Sequence, residues 1–260
     1  MASGAWTSGD AYDAYIGRWS RPVAAAFVAR LAVPAGRRWL DVGCGTGALT
    51  AAVLATADPA RVLGVDPSTA FLATARTRLT DQRVTLATAD AQSLPDGPFD
   101  AVVSGLALNF VPDPGGAVTE FARVCRPGGV VAAYVWDYTS GMAMLRYFWD
   151  AVATLDPARA ELDEGRRFSL CQPEALRTLW TDGGLHDVAV EPIDVPTVFT
   201  GFHDYWRPFL GGQGPAAGYV MSLTEDRRRD LRDLIRLRLP DTEDGSIPLT
   251  ARAWAVRGTA

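Results

Sequence analysis

Short apolar runs alternate with helical stretches through the first half of this chain. Runs at 38–42, 61–65, 83–88, 99–104 and 129–136 are rich in Val, Leu and Ala and lack strict alternation. That pattern predicts strands buried on both faces. Between them, 47–57, 68–79 and 114–125 read as helices. Ahead of the first strand, Tyr12, Tyr15, Ile16, Trp19, Val23, Phe27 and Leu31 recur at helical spacing over 10–33, and Pro34-Ala35-Gly36 ends the run. Strand–helix alternation of this kind predicts an α/β fold with a parallel sheet covered on both faces.

After Asp137 the regularity loosens. Residues 140–155 read as an aromatic-rich helix carrying Met142, Leu145, Tyr147, Phe148 and Trp149. A helix is expected from Pro173 to Asp182, stopped by Gly183-Gly184, and a strand from Val188 to Val195. Residues 200–222 are rich in glycine and aromatics, including Phe202, His203, Tyr205, Trp206 and Phe209. Thr224 caps an amphipathic helix with Glu225 and Asp226 in its first turn. A last strand spans Ile247 to Val256. No repeat or second domain is evident, so the expectation is one domain over 1–260. It divides into a lid helix (1–36), a ligand-binding core (37–137) and a substrate-side half (138–260) with an insertion at about 197–240.

The densest chemistry lies in Leu40-Asp41-Val42-Gly43-Cys44-Gly45-Thr46-Gly47. A strand enters a loop with three alternate glycines, and a helix leaves it. Glycine admits positive φ and lets a ligand lie against the main chain. The following helix aims its first N–H groups at that ligand. Gly43, Gly45 and Ala48 also satisfy the dinucleotide pattern G-x-G-x-x-A, with Asp66 about 20 residues on, so a nicotinamide-dependent oxidoreductase is one reading. Asp41 speaks for another. A carboxylate beside the loop would repel a pyrophosphate, but it would hold the loop or meet an ammonium group.

Four segments in order resemble the class I S-adenosylmethionine-dependent methyltransferases. They are Leu40–Gly47, Val62-Leu63-Gly64-Val65-Asp66-Pro67-Ser68, Ala87–Pro95 with Phe99–Ser104, and Leu108–Asp113 with Arg123–Val130. Tyr12-Asp13-Ala14-Tyr15-Ile16-Gly17-Arg18-Trp19-Ser20 is similar to a lid helix of the small-molecule branch, the ubiquinone/menaquinone-methyltransferase-like enzymes. The carboxy-terminal third resembles that branch only loosely. The resemblance implies a doubly wound, Rossmann-like sheet of seven strands with helices on both faces. It is mostly parallel, with an antiparallel last strand between the fifth and sixth. It implies S-adenosylmethionine as cofactor and S-adenosylhomocysteine as product.

The same resemblance distributes roles. Gly43, Cys44, Gly45 and Gly47 pass beneath the methionine part and ribose. Asp66, with Pro67 and Ser68, accepts the ribose hydroxyls, the plainer alternative for Asp66 being a helix N-cap. Asp90 and Ala91 meet the adenine, against a simple turn acid for Asp90. Ser104 and Leu106 line the pocket near the sulfonium. Asp41 touches the site directly or through water. The cofactor's carboxylate needs a cation, for which Arg18 is preferred over Arg21, with the Tyr12 hydroxyl beside it; the alternative for Arg18 is a surface salt bridge. A general base is needed only where the nucleophile must lose a proton. Candidates at the acceptor are His203, Asn109 and Tyr138, with Asp137 nearby, whereas His186 reads as structural. The aromatics of 200–222 fit an apolar or planar acceptor, or the insertion's own small core.

Composition narrows the classes. The chain has 260 residues, which suits one α/β domain with a full core. A net charge of −5 argues against nucleic acid, and Arg227-Arg228-Arg229 sits among acids as a solvated helix face. Every basic residue is arginine, which removes lysine chemistry and reads as the codon bias of a GC-rich bacterial genome. Three scattered cysteines, Cys44, Cys125 and Cys171, predict free thiols in a reducing compartment. No apolar run approaches the ~20 residues of a membrane span, and the amino terminus lacks export features. The expectation is a cytoplasmic enzyme, monomeric or homodimeric, using no metal and acting on a small molecule. A third possibility is a homologue that keeps the cofactor site for a non-methylating role.

Overall fold

The computed structural model describes residues 17–211, 214–240 and 242–260. Seven strands form one sheet in the order β3-β2-β1-β4-β5-β7-β6. They are β1 (Arg38–Val42), β2 (Arg61–Val65), β3 (Val84–Ala87), β4 (Phe99–Gly105), β5 (Cys125–Trp136), β6 (His186–Phe199) and β7 (Ile247–Thr259). β1 pairs in parallel with β2 and β4, β2 with β3, and β4 with β5. β7 runs antiparallel to β5: the Gly128 N–H donates to Ala260 O at 2.8 Å and the Asp137 N–H to Arg252 O at 2.9 Å. The order reverses beside β1, where an open α/β sheet binds its ligands.

The chain forms two compact units. The sheet unit comprises Ser20–Val135, Gln172–Ile193 and Ala253–Ala260. It holds most of α1 (Arg18–Leu31), with α2 (Ala48–Thr56), α3 (Thr69–Arg78), α4 (Pro114–Val124) and α7 (Pro173–Asp182). Its central strands β1 and β4 are near-continuously buried, as expected of a parallel sheet covered on both faces; Trp39, Leu40, Val102, Val103 and Val131 are inaccessible or nearly so. The Trp180 indole of α7 donates to Val131 O at 3.0 Å, which satisfies the one polar atom of a fully buried ring.

The aromatic unit comprises Trp136–Cys171 and Asp194–Arg252, with Arg18 and Trp19. It contains α5 (Ala143–Leu155), α6 (Glu164–Arg167), α8 (Phe202–Trp206), α9 (Gly214–Ser222) and α10 (Glu225–Arg238). Phe148 of α5 stacks on Phe209 with centroids 4.6 Å apart, and Tyr205 packs between Phe199 and Phe209 at 5.3 and 5.6 Å. The Tyr205 hydroxyl donates to Met144 O at 2.7 Å. Arg238 of α10 reaches Asp150 O and Thr154 Oγ1 on α5, both at 2.9 Å.

Several boundaries differ from expectation. The fifth strand starts at Cys125 rather than 129, and α4 ends at Val124. Pro127-Gly128-Gly129 stays within the strand, and pairing with β4 shifts register between Phe99 and Ala101. Asp100 pins this irregularity by accepting from the Arg38 N–H at 2.9 Å and Arg126 Nε at 2.6 Å. β6 is longer than the expected 188–195, reaching Phe199 with Ile193, Val195, Thr197 and Phe199 buried in alternation. The glycine- and aromatic-rich stretch resolves into two short helices joined by a 3₁₀ turn at Arg207–Gly211. All three cysteines are free and buried. No helix of the described residues is long and apolar enough to cross a membrane.

Candidate active site

The three loop glycines do different work. Gly43, Gly45 and Gly47 all have positive φ, at 72°, 53° and 92°. A Cβ at Gly43 would lie 2.5 Å from the Ala107 Cβ, and one at Gly47 would lie 2.6 Å from Leu79. These two positions are closed by the fold itself. A Cβ at Gly45 would meet nothing within 4 Å. The middle glycine therefore opens onto unfilled space, where a ligand can approach the main chain.

Asp66 braces that glycine. Its Oδ2 accepts the Gly45 N–H at 2.9 Å and its Oδ1 the Ser68 N–H at 2.8 Å. Each carboxylate oxygen accepts about two hydrogen bonds, so acceptor capacity remains for a pair of hydroxyls. Burial raises the Asp66 carboxyl above its usual value, against the two N–H donors that lower it. Asp66 is not the cap of α3: Ser68 is, its hydroxyl accepting the Phe71 N–H at 3.3 Å. Pro67 between them is exposed.

Beneath the loop, Asp41 is fully buried. Thr50 Oγ1 donates to its Oδ2 at 2.6 Å, while Oδ1 has no partner. Burial, then the nearby Asp66, raises its carboxyl to about 7, with the Thr50 bond opposing. Thr50, one polar residue in the apolar run of α2, was the residue that sequence reasoning missed here. Cys44 is buried beside both acids, and burial with their charges pushes its thiol far up, so it is no nucleophile.

The remaining loops follow the strand ends. Asp90 is exposed, and its Oδ1 accepts the Gln92 N–H at 2.9 Å, leaving Oδ2 available; Ala91 is half-buried beside it. Ser104 is buried at the end of β4. Leu106 has φ of 59° and is held there by donating its N–H to Tyr134 O at 2.8 Å. A bulky residue in the left-handed region stores roughly 1–2 kcal/mol of strain, which surrounding structure must impose. Asn109 is half-buried, and its Nδ2 lacks a partner. Asp41, the glycine loop, Asp66, Ser104, Leu106 and Asn109 all belong to the sheet unit.

Most of the other sequence candidates belong to the aromatic unit. Arg18 Nη1 pairs with Asp204 Oδ1 at 2.9 Å. Asp137 is buried and accepts both the Ser140 N–H and hydroxyl at 3.0 Å. Tyr138 is buried with its ring 5.4 Å from Phe168. His203 is exposed on α8, and His186 is exposed at the start of β6 in the sheet unit. Tyr12 lies outside the described residues. The aromatics of 200–222 mostly close a core of their own: Tyr205 and Phe209 are fully buried.

Residues 40–133 match the methyltransferase domain model. That span runs from β1 to β5 and contains the loop, Asp66, Asp90 and Ser104–Asn109. This region is similar to S-adenosylmethionine-dependent methyltransferase domains. An uncharacterised protein of Mycobacterium tuberculosis is 34% identical over 126 residues, which is 47% of this chain and 45% of that one. A ubiquinone biosynthesis O-methyltransferase of Methylococcus capsulatus is 41% identical over 98 residues, 36% of this chain and 40% of that one. The matched part is thus less than half the length of these relatives. Phosphoethanolamine N-methyltransferase 2 of Haemonchus contortus, solved with phosphomonomethylethanolamine and S-adenosylhomocysteine, has the same fold. Its TM-score is 0.60 at 19% identity, over 97% of this chain and 58% of that one. The cofactor of the domain family is S-adenosylmethionine, and the residues here suit it. Gly45 leaves room against the main chain, Asp66 keeps capacity for ribose hydroxyls, and Asp41 places a buried acid below the loop.

Proposed function

We propose that this chain transfers the methyl group of S-adenosylmethionine to an oxygen, nitrogen or carbon of a small, apolar or aromatic acceptor. The observation that carries the reading is the open face at Gly45 braced by Asp66. Bound there, the cofactor supplies a sulfonium methyl, a strong electrophile. Asp66 with Pro67 and Ser68 would hold the ribose, Asp90 and Ala91 the adenine, and Gly43 to Gly47 the methionine part, with Cys44 packing beneath. Ser104 and Leu106 would border the reacting centre. Transfer would pass the methyl carbon to an electron pair of the acceptor while sulfur kept the pair of the broken bond, and an O–H, N–H or C–H acceptor would release its proton to solvent. Holding the two reactants in line accounts for much of the acceleration. Asn109, whose Nδ2 has no partner, would orient the acceptor, and Tyr138 and His203 are further candidates at the acceptor.

Support for a small acceptor is the net charge of −5, which suits no polyanion, and Phe110, 43% exposed beside Asn109. The Methylococcus relative carries a small-molecule name. The deciding experiment incubates the purified chain with methyl-labelled S-adenosylmethionine and cell extract, then separates small molecules from macromolecules. Label in a small molecule is expected. Label in protein or RNA, or none, overturns the reading. Direct titration with S-adenosylhomocysteine and NADH separates it from an oxidoreductase: only the former is expected to bind.

A further inference from the structure

One acid of the glycine-loop region has far less hydrogen bonding than its burial demands. Asp41, near the end of β1, is fully buried. A carboxylate offers about four acceptor sites over its two oxygens. Thr50 Oγ1 donates to Oδ2 of Asp41 at 2.6 Å, while Oδ1, inaccessible to solvent, has no partner. Asp66 in the same unit is the contrast: both of its oxygens accept a main-chain N–H.

Among the described residues, the groups that face Asp41 supply no cation. Its register partners are Gly64 on β2 and Val103 on β4, both uncharged. α2 contributes only the Thr50 hydroxyl. The turn after β2 contributes Asp66, whose charge opposes ionisation of Asp41. The loop contributes the Cys44 thiol, which feels both acids and, last, Arg76 of α3. An ionised carboxylate that is buried, bonded once and set beside a like charge is costly. Burial, opposed by the Thr50 bond and reinforced by Asp66, accordingly raises this carboxyl to about 7.

The two forms of the cofactor differ in the charge that is missing here. S-adenosylmethionine carries a fixed positive charge at sulfur; S-adenosylhomocysteine has a neutral thioether in its place. The open face of Gly45 puts the ligand along the loop, where the neighbouring Cys44 already feels the charge of Asp41. A cation in that field favours the ionised form of Asp41, and a thioether leaves the neutral form in place.

We propose that Asp41 tells the methyl donor from its product by charge, giving up its proton when S-adenosylmethionine binds and keeping it when S-adenosylhomocysteine binds. This rests on the methyltransferase reading above. It goes beyond a contact with the ammonium group, which both ligands share. Once sulfur is neutral, Asp41 regains its proton from solvent, and the hold on the product is weaker than that on the donor.

The test titrates the full-length chain with each ligand by calorimetry, in buffers of different ionisation enthalpy, so that protons released on binding are counted. At about pH 6.5 the amines of both ligands already hold their protons, and a carboxyl near 7 is mostly protonated. S-adenosylmethionine is expected to release roughly half a proton more than S-adenosylhomocysteine. Its affinity relative to S-adenosylhomocysteine is expected to rise several-fold from about pH 5.5 to 7, because the complex with the cation holds fewer protons. Asp41→Asn is expected to abolish both differences while still binding S-adenosylhomocysteine, which shows that it is folded. Thr50→Val keeps the acid but removes the bond that holds its carboxyl down. It is expected to weaken S-adenosylmethionine a few-fold at about pH 7 and to leave S-adenosylhomocysteine within about twofold of wild type. Equal proton release for the two ligands overturns the proposal, and so does a difference that persists in Asp41→Asn, which would place the proton on another group such as Asp66. Should Asp41→Asn not fold, an equal effect of Thr50→Val on both ligands overturns it. Binding of neither ligand to wild type overturns the methyltransferase reading as well; binding of both with no difference in protons overturns this proposal alone.

Discussion

The two units handle buried polarity in opposite ways. In the sheet unit Asp66 is tied to main chain: it accepts from Gly45, 21 residues away, and from Ser68, two residues away. In the aromatic unit one part-buried ion pair, Arg18 with Asp204, joins residues 186 apart in sequence. A site assembled from one loop and the adjacent strand ends is set by backbone geometry. A site assembled from distant segments exists only once the whole unit has packed. The first should therefore be robust to changes in side-chain packing elsewhere, and the second should not.

The comparison breaks most sharply at a large core residue of each unit. Phe121 of α4 and Phe209 are both fully buried. Truncating a buried phenylalanine costs about 3–5 kcal/mol through lost transfer energy and the cavity left behind. Phe121→Ala and Phe209→Ala are both expected to lower stability by that amount in denaturant titrations. Phe209→Ala should retain S-adenosylhomocysteine affinity at low denaturant, whereas Phe121→Ala should lose it along with its unit's stability. Equal loss in both would mean the cofactor site depends on the aromatic unit.

Each unit also holds one buried carboxyl raised to about 7, and pH separates them. Burial is the leading cause at Asp41 and at Glu164, whose side chain accepts the Trp149 indole N–H. Below about pH 4 the folded and unfolded chains both hold these protons. Between there and about 7 only the folded chain holds them, so stability falls as pH rises through this window and levels off above it. The displacement from 3.8 to about 7 corresponds to roughly 4 kcal/mol at Asp41, and that from 4.5 to about 7 to roughly 3 kcal/mol at Glu164. Asp41→Asn and Glu164→Gln should each flatten the loss of stability between about pH 4 and 7. Retention of the full wild-type slope in either variant would show that its carboxyl titrates normally.

What was legible in the sequence follows the same division. The strand–glycine–helix order and the position of Asp66 were readable because each depends on local backbone chemistry. Helix α7 runs over the expected Pro173 to Asp182, since proline and paired glycines punctuate both ends. The start of β5 was not readable: Pro127-Gly128-Gly129 signals a turn, and contacts from elsewhere keep it extended, with Asp100 bridging Arg38 and Arg126 and Ala260 pairing with Gly128 and Gly129. Nor was the fate of the aromatics at 200–222, whose packing against Phe148 is decided by tertiary contact.

The loop glycines offer the next test. At Gly43, an added methyl meets Ala107 and a positive φ together, so Gly43→Ala should cost about 3 kcal/mol of stability. At Gly45 only the backbone term applies, and Gly45→Ala should cost about 1 kcal/mol. The order should invert for the ligand relative to stability: Gly45→Ala puts its methyl in the open space and should weaken S-adenosylhomocysteine by more than its small stability loss explains. If calorimetry finds the affinity of Gly45→Ala unchanged, the cofactor does not lie over that glycine.

The smallest effect discriminates best, because it compares like with like. Ser68 caps α3 in the sheet unit and Thr224 caps α10 in the aromatic unit, accepting the Phe71 and Arg227 N–H groups at 3.3 and 3.4 Å. Removing such a hydroxyl costs about 1 kcal/mol wherever the helix lies. Ser68→Ala and Thr224→Ala should therefore lose equal stability. Ser68, however, donates its own N–H to Asp66 Oδ1, so fraying at this cap loosens the acid that braces Gly45. Ser68→Ala should weaken S-adenosylhomocysteine a few-fold, and Thr224→Ala should not. A matched loss in both would make cofactor affinity a readout of global stability, and the distinction between a locally built site and a distantly assembled one would fall with it.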